Sequence, residues 1–542
     1  MKVSSAIAEI LQREGVDVVF GYPRNAVLEQ AAALGIRTVI VRQERTGVHM
    51  ADALSRLTRG KRLGVFAMQH GPGTENAYGG VAQAYSESVP ILVLPMGYAR
   101  SLANVPGNYN ASRSMRDVTK TAEPILQASD TPAVLRRAFS ALRNGRFRPA
   151  LVEMPHDVLA EEFPGPLHYA PVVSTRSAPD PEAVKRVAER LVAAKRLVIH
   201  AGQGVHWAEA YDELRLLAEL LAAPVSTSLE GKSAFDETHP LALGSGGAAI
   251  PGQLRSFLDR ADLIFGIGCS FSATSFGVAM PTHVPIVHAT LDAADLDKCV
   301  PCVDALVGDA RLTLTMLLDS CRLLLAEPRD AAPVALEISA VARAWWSEWQ
   351  PLLESSEAPL NPYRVLWDLQ LTVDVGNTII THDAGSPRDQ LTPFWKSRAP
   401  LSYIGWGKST QLGYGLGLAM GAKLACPDKL CINVWGDAAI GFTGMDFETA
   451  VRERLPILSI LLNNSAMALE LNQMPIATER FRATDISGDY AAFARAMGGY
   501  GERIVDPNEI VPAIRRGIAA TEAGQPALLE FITAQETRAS RL

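Results

Sequence analysis

Two side chains that bind metal through oxygen stand after successive apolar runs: Asp437, in Val434-Trp435-Gly436-Asp437-Ala438-Ala439, and Asn464, in the pair Asn463-Asn464 that closes the run 457–462. An aspartate and an asparagine at the ends of two buried strands can together hold a divalent cation against a diphosphate. Taken singly they have plainer roles, Asp437 as a helix cap and the asparagine pair as a turn. A second set of reactive side chains lies nearer the N-terminus. Glu44 follows the apolar run 38–41 and precedes a helix expected to begin near His49, where an α/β sheet presents side chains to a ligand. A glutamate there also serves as an ordinary N-terminal helix charge. Gln69 and His70 end the next strand before the tight turn Gly71-Pro72-Gly73. An imidazole with an unperturbed pKa of about 6.5 suits proton transfer, and the alternative is a histidine hydrogen-bonded to its own turn.

Side chains so far apart in the chain can meet only if strand ends bring them together. Apolar runs at 38–41, 64–68, 91–95 and 150–153 alternate with helical stretches such as 51–57 and 131–142, the pattern of a parallel sheet covered by helices. They form an expected N-terminal domain, 1–165. A passage rich in Pro, Ser and Thr, 168–181, leads to a second alternation with strands 196–201, 223–227, 263–267 and 286–291, an expected Rossmann-like central domain, 180–325. Residues 326–362 carry acidic, proline and tryptophan residues without a strand and read as a linker with one helix. The third expected domain, 363–542, has strands 378–382, 430–434, 457–462 and 527–531 around Asp437 and Asn464. The expected fold class is therefore α/β, with three doubly wound parallel-sheet domains.

Glycines add two local readings. Gly413-Tyr414-Gly415-Leu416-Gly417 departs from the spacing G-x-G-x-x-G and fits close helix packing. Gly202-Gln203-Gly204 follows a strand and opens a helix, a place for phosphate or nucleotide, though no acidic residue stands at a convincing distance.

Composition sets outer bounds. With 542 residues, 48% of them hydrophobic and 20% charged, the chain has enough apolar material for several cores. A net charge of −7 with interspersed signs offers no basic stripe for nucleic acid. No apolar run reaches the ~20 residues that span a membrane, and the first sixteen residues read as an amphipathic helix, so a cytoplasmic protein is expected. Of six cysteines only Cys299 and Cys302 form a C-x-x-C pair, without a second pair or a nearby histidine, and reduced structural thiols are expected.

The stretch 434–464 resembles the thiamine diphosphate motif, which begins Gly-Asp-Gly and ends Asn-Asn at nearly this separation; Ala438 replaces the second glycine. Added to Gly21-Tyr22-Pro23, Glu44, Gly71-Pro72-Gly73, Gly231-Lys232 and Glu237-Thr238-His239-Pro240-Leu241, it gives a chain that resembles, over nearly its whole length, the acetolactate synthase and 2-oxoacid decarboxylase family of thiamine diphosphate enzymes. The resemblance implies a homodimer or homotetramer whose active site lies between subunits. It also implies thiamine diphosphate and Mg²⁺ as cofactors. Glu44 would hydrogen-bond the pyrimidine ring, and Leu412 would bend the cofactor so that its exocyclic nitrogen reaches the thiazolium C2 proton. The Thr410 carbonyl would accept from the same amine. Asp437, Asn464 and the carbonyl of Ala466 would bind Mg²⁺. Pro23, Gly385, Ser386, Gly436, Ala438 and Ala439 would contact the cofactor, and His70 and Gln69 would assist catalysis.

The implied activity is formation or cleavage of C–C bonds in 2-oxoacids or 2-hydroxyketones. The alternatives are a simple 2-oxoacid decarboxylase, a diketone-cleaving enzyme and a catalytically silent paralogue. Several markers of the synthase are replaced. No glutamine lies between 84 and 126, the Gly-x-Arg-Phe segment reads Gly268-Cys269-Ser270-Phe271, no tryptophan lies between 464 and 529, and the Gly-Gln-His turn reads Gly385-Ser386-Pro387. These replacements bear on the acceptor substrate and on whether FAD or another nucleotide occupies the central domain. Loops 100–116 and 467–484 are expected to line the substrate pocket with Asn108, Tyr109, Asn110 and Glu470; Arg113 and Arg116 suit an anionic substrate or an ordinary charged surface.

Overall fold

Strands with few polar residues, such as Gly64–Met68 and Leu458–Asn463, are buried on both faces, and a sheet sandwiched between helices offers that burial. The computed structural model describes residues 1–541 and contains three such sheets, each of six strands. The first holds β1 (Val18–Gly21), β2 (Arg37–Ile40), β3 (Gly64–Met68), β4 (Ile91–Gly97), β5 (Thr121–Pro124) and β6 (Ala150–Pro155), in the order β2-β1-β3-β4-β6-β5. The second holds β7 (Leu197–Ala201), β8 (Val225–Thr227), β9 (Ala242–Ser245), β10 (Leu263–Ile267), β11 (Ile286–Thr290) and β12 (Asp304–Val307), in the order β12-β11-β10-β7-β8-β9. The third holds β13 (Thr378–His382), β14 (Tyr403–Ile404), β15 (Leu430–Gly436), β16 (Leu458–Asn463), β17 (Tyr500–Ile504) and β18 (Ala527–Ile532), in the order β14-β13-β15-β16-β18-β17. All pairings are parallel, as the alternation of strands and helices requires. The first and third sheets repeat one strand order, whereas the second has the order of a dinucleotide-binding sheet.

The first and third domains share a core. The helix Glu44–Leu57 lies against the helix Tyr414–Ala425, and Val48 and Met50 belong to one apolar cluster with Leu416 and Met420. A Cβ on Gly417 would fall 2.4 Å from His49 Cβ, and one on Gly421 2.4 Å from the Met50 carbonyl oxygen. The glycines of this helix thus serve close packing rather than a nucleotide. The central domain is fastened to the third by hydrogen bonds from a buried ion pair of its own. Lys232 Nζ donates to both Glu237 carboxylate oxygens at 2.7 Å and to the Trp395 carbonyl, while the Ser397 N–H donates to Glu237. Removing one partner of such a pair typically costs about 3–5 kcal/mol.

Two expected boundaries shift. The helix expected near His49 begins at Glu44, because Gln43 is still extended and the acidic side chain is favoured in the first turn. The expected loop 467–484 contains the helix Pro475–Phe481, started by a proline whose missing N–H has no helical partner to lose. In 326–362 the one expected helix is Ala332–Leu353, and it is more than a spacer: Trp345 stacks on Phe394 at 4.8 Å and Trp349 meets Tyr363 at 5.1 Å. Among the described residues, no helix is long and apolar enough to cross a membrane.

Candidate active site

β15 and β16 run in register up to Gly436 beside Leu462, so Asp437 and Asn463 leave the sheet side by side. Asp437 opens the helix Asp437–Thr443, and its Oδ1 accepts the N–H of Ala438 at 2.9 Å. The chain beyond β16 folds back over it through Ser465, whose φ of 57° is left-handed. The N–H of Ala466 donates to Asn464 Oδ1 at 3.0 Å, and the backbone N–H groups of Ser465 and Ala466 favour the ionised Asp437 carboxylate. Burial nevertheless raises the pKa of Asp437, and its Oδ2 is buried without a hydrogen-bond partner among the described residues. Asn463 points elsewhere, donating to Glu530 at 2.7 Å. A lone carboxylate oxygen beside an amide oxygen is a donor set for a hard divalent cation, completed by a backbone carbonyl, diphosphate oxygens and water. Among the described residues no cluster of three His, Cys, Asp or Glu is arranged for metal. Such a site suits a cation delivered with its own anionic ligand.

Around this point the backbone is open. Gly385 has φ 87°, and a Cβ there would meet nothing nearer than Leu469 at 4.0 Å. It precedes the short helix that starts at Ser386, and Pro387 comes within 3.9 Å of a Cβ built on Gly436. Ala438 and Ala439 lie in the first helical turn with right-handed backbone, so the methyl of Ala438 carries no strain. Sequence reading passed over Asp383, which organises the surroundings. Its Oδ1 accepts the N–H groups of Ala384 and Gly413, and its Oδ2 that of Gly415, all within 3.0 Å. This ties the turn before Gly385 to the loop of Thr410 and Leu412, and burial pushes the carboxyl pKa up to about 6. Its place directly after an apolar strand was the available signal. In that loop Leu412 is partly buried against the shared core. Gln411, also passed over, takes the Gln83 side chain at 3.1 Å with its N–H and His49 at 3.1 Å with its Oε1.

Glu44 is 3% exposed and its Oε2 accepts from Asn76 at 3.0 Å. Burial raises its pKa; the Asn76 bond opposes the rise and the Asp446 charge adds to it. Asp446 also accepts the Arg42 N–H at 2.8 Å, which seats the third domain against the start of the Glu44 helix. Gly73 stands between Glu44 and Gln69: a Cβ on it would lie 3.5 Å from Glu44 Oε1 and 3.1 Å from Gln69 Cγ. Gln69 and His70, with Pro23 and Asn25, line a cleft of about 640 Å³. His70 packs on Tyr98 at 4.6 Å between ring centres, and its Nδ1 is buried without a partner rather than bonded to its turn. Partial burial lowers its pKa, helped by His156 and Arg24, so the imidazole is neutral near pH 7.

The expected substrate residues part company. Tyr109 reaches the Gly71 turn, donating to the Gly71 carbonyl at 2.7 Å. Asn108 is spent inside its own loop on the Leu102 carbonyl, and Asn110 precedes the short helix Ala111–Ser114 without capping it. Glu470 is half-buried beyond Ala466, while Arg113 and Arg116 are exposed. His49, with its pKa lowered to about 3 by burial, is a packing residue. Cys299 and Cys302 are free thiols.

A cavity of about 1010 Å³ opens where the strand order of the central sheet reverses, between β7 and β10, with Gly204, Gly268, Thr290 and Asp309 in its wall and Ser88 and Lys408 contributed by the other domains. Backbones nearly touch there, since the Gly204 N–H donates to the Gly268 carbonyl at 2.8 Å and any Cβ on Gly204 would collide with Gly268. The acidic residue missed in the sequence is present: Glu230, three residues beyond β8, lines the cavity with Asp292.

Comparison with known proteins agrees with this construction. The family described as "Thiamine pyrophosphate enzyme, N-terminal TPP binding domain" matches residues 1–120, its central domain matches 184–317, and its C-terminal TPP binding domain matches 383–531. The acetolactate synthase isozyme 3 large subunit of Escherichia coli is 31% identical over 525 residues, covering 92% of this chain and 88% of that one. The probable acetolactate synthase large subunit of Methanocaldococcus jannaschii is 28% identical over 562 residues, covering 98% and 92%. That of Parasynechococcus marenigrum, named acetolactate synthase large subunit, is 30% identical over 533 residues, covering 93% and 83%. With all three domain types present in order and a similarity that runs almost end to end, the chain belongs to the thiamine pyrophosphate enzymes, in the acetolactate synthase and decarboxylase family.

Proposed function

We propose that the protein is a thiamine diphosphate- and Mg²⁺-dependent carboligase or lyase of the acetolactate synthase type, acting on 2-oxoacids or 2-hydroxyketones. The observation that carries this reading is the buried, unpartnered Oδ2 of Asp437 beside Asn464, with open backbone at Gly385. Bound there, the cofactor supplies the electron sink for making or breaking a C–C bond. Asp437, Asn464 and the Ala466 carbonyl hold the cation, and Gly385, Ser386, Gly436, Ala438 and Ala439 receive the diphosphate. Glu44 holds a proton at its carboxyl against the pyrimidine nitrogen, Pro23 and the Thr410 carbonyl position the ring, and Leu412 props the cofactor from below. His70, neutral and with a free ring nitrogen, carries a proton to or from substrate, and Gln69 and Tyr109 orient it.

His70 also favours a second reading, a 2-oxoacid decarboxylase or diketone-cleaving enzyme, in which that proton ends the reaction on carbon. Incubation with thiamine diphosphate, Mg²⁺ and pyruvate, with carbon dioxide, acetolactate and acetaldehyde measured together by NMR, separates the two. Acetolactate is expected; carbon dioxide with acetaldehyde supports the second reading. No turnover of pyruvate, 2-oxobutyrate or 2,3-butanedione would leave neither standing.

A homodimer or homotetramer with the site between subunits fits the apolar groups left on this surface, Phe442 at 47% and Met445 at 49% exposure, close to the Glu44 helix. The central cavity, large and lined by glycine turns, suits FAD or another nucleotide. Protein purified without added nucleotide is expected to release one on heat denaturation, read as flavin absorbance or as an adenine spectrum; a clean supernatant together with no affinity for FAD or ADP would remove this assignment.

A further inference from the structure

Arg388, in the first turn of the helix Ser386–Leu391, is 2% exposed. Its Nε donates to Asp389 Oδ1 at 2.8 Å, and its planar face lies on Phe276 of the central domain, 4.2 Å from the ring centre. Nη1 and Nη2 are buried and have no hydrogen-bond partner among the described residues. Asp389 thus takes one edge of the guanidinium and Phe276 one face, and the Nη1–Nη2 edge is left with its donors unmet. An unmet buried donor is costly, the more so when charged, and such a group calls for a ligand.

The charge around it calls for an anion. Asp389 gives its other oxygen to Arg541 at 2.9 Å, so two guanidinium groups share one carboxylate. His382 adds no positive charge, since burial, with Arg388 second, lowers its pKa to about 3. Asp383 gives Arg388 no hydrogen bond, its oxygens accepting three backbone N–H groups instead. Glu237, on the central domain, is held by Lys232. The seat is also fixed in place: a Cβ on Gly247 would fall 2.1 Å from the Phe276 carbonyl oxygen, so glycine there lets the Phe276 segment press inward.

Resting on the proposed function, we infer that the Nη1–Nη2 edge of Arg388 binds the carboxylate of the 2-oxoacid substrate. Arg388 lies three residues beyond Gly385, where the diphosphate is proposed to sit, and its partner Phe276 follows Gly268-Cys269-Ser270-Phe271, the segment that lacks the family's arginine. The Arg388 guanidinium comes from the third domain and meets Phe276, five residues beyond that segment. A flat two-donor edge matches a carboxylate, and an ammonium in its place keeps the charge but loses the fork.

Lactate, an unreactive carboxylate of the same size, tests the site on the full-length protein by calorimetric or NMR titration, with neutral lactamide as its counterpart. Lactate is expected to bind and lactamide not to. Arg388→Gln is expected to weaken lactate by about tenfold to a hundredfold, and Arg388→Lys to weaken it less. Inorganic pyrophosphate, titrated into the same proteins, is expected to bind them all alike. If lactate affinity is unchanged in Arg388→Gln, or if pyrophosphate alone is weakened, the assignment to a substrate carboxylate is overturned. Should Arg388→Gln not fold, equal binding of lactate and lactamide to the unaltered protein, or unchanged lactate affinity in Arg388→Lys, overturns it as well. C2 proton exchange on bound thiamine diphosphate reports the proposed function separately. Exchange with unchanged lactate affinity in Arg388→Gln sinks only the Arg388 assignment, and Arg388-dependent lactate binding without exchange sinks only the proposed function.

Discussion

A Glu44→Gln protein is expected to fold, to bind thiamine diphosphate with Mg²⁺, and to exchange the C2 proton of that cofactor about 10²–10⁴-fold more slowly, the range that a single positioned acid–base group commands. The substitution is nearly isosteric, and the amide oxygen can still accept the Asn76 bond that Oε2 accepts now. What it removes is the ionisable proton. Because burial raises the Glu44 pKa, the carboxyl keeps its proton to higher pH than an ordinary glutamate. The sign for stability follows from the same shift. An acid whose folded pKa lies above its unfolded value favours the fold fully below the unfolded pKa, and that contribution is lost as pH rises through the folded pKa. Glu44→Gln is therefore expected to melt no lower than the parent at pH 7, and exchange measured by NMR in deuterated buffer is the readout that moves. Parental exchange in the variant would sink the role assigned to Glu44.

That opposition between stability and chemistry also explains what was legible in the sequence. The strands that carry the site, β3, β13, β15 and β16, are short, mostly apolar or β-branched runs and stand out in the sequence. The edge strands β14 and β17 do not: β14 has two residues, and β17 reads Tyr-Gly-Glu-Arg-Ile. Their pairing is settled by neighbours distant in the chain rather than by their own residues. Asp437 and Asn464 could be picked out because each stands just beyond an apolar strand. Gln411 and Arg388 could not, since each acts through a partner brought by the fold, a histidine on another domain and a phenylalanine more than a hundred residues away; Asp383 showed its place after an apolar strand but not its three backbone N–H partners. Gly231-Lys232 and Glu237 were visible as a motif, but their purpose, a buried ion pair within the central domain that bonds to Trp395 and Ser397 of the third, appears only in the structure.

Asp437→Ala is expected to lower Mg²⁺-dependent affinity for thiamine diphosphate by about a hundredfold or more, since even residues that merely support metal ligands command 10–100-fold. The variant keeps the Ala438 backbone and loses only the carboxylate, whose Oδ2 has no protein partner. Its pKa is raised by burial, so at neutral pH the cofactor-free variant is expected to be no less stable than the parent. Cofactor fluorescence quenching with and without Mg²⁺ measures the loss, and unchanged Mg²⁺ dependence would remove Asp437 from the metal site. Paired with Glu44→Gln, the same variant tests whether two chains build one site. If Glu44 of one subunit works with Asp437 of another, each variant alone is inactive, but a mixed dimer carries one site with both residues intact. Random reassembly of equal amounts then restores about a quarter of the parental activity, half the dimers being mixed and each having one working site of two. If both residues act within one chain, no mixture rises above the inactive parents, because every site lacks one of them. The proposed intersubunit site requires recovery, and it requires that recovery appear only after dissociation and remixing.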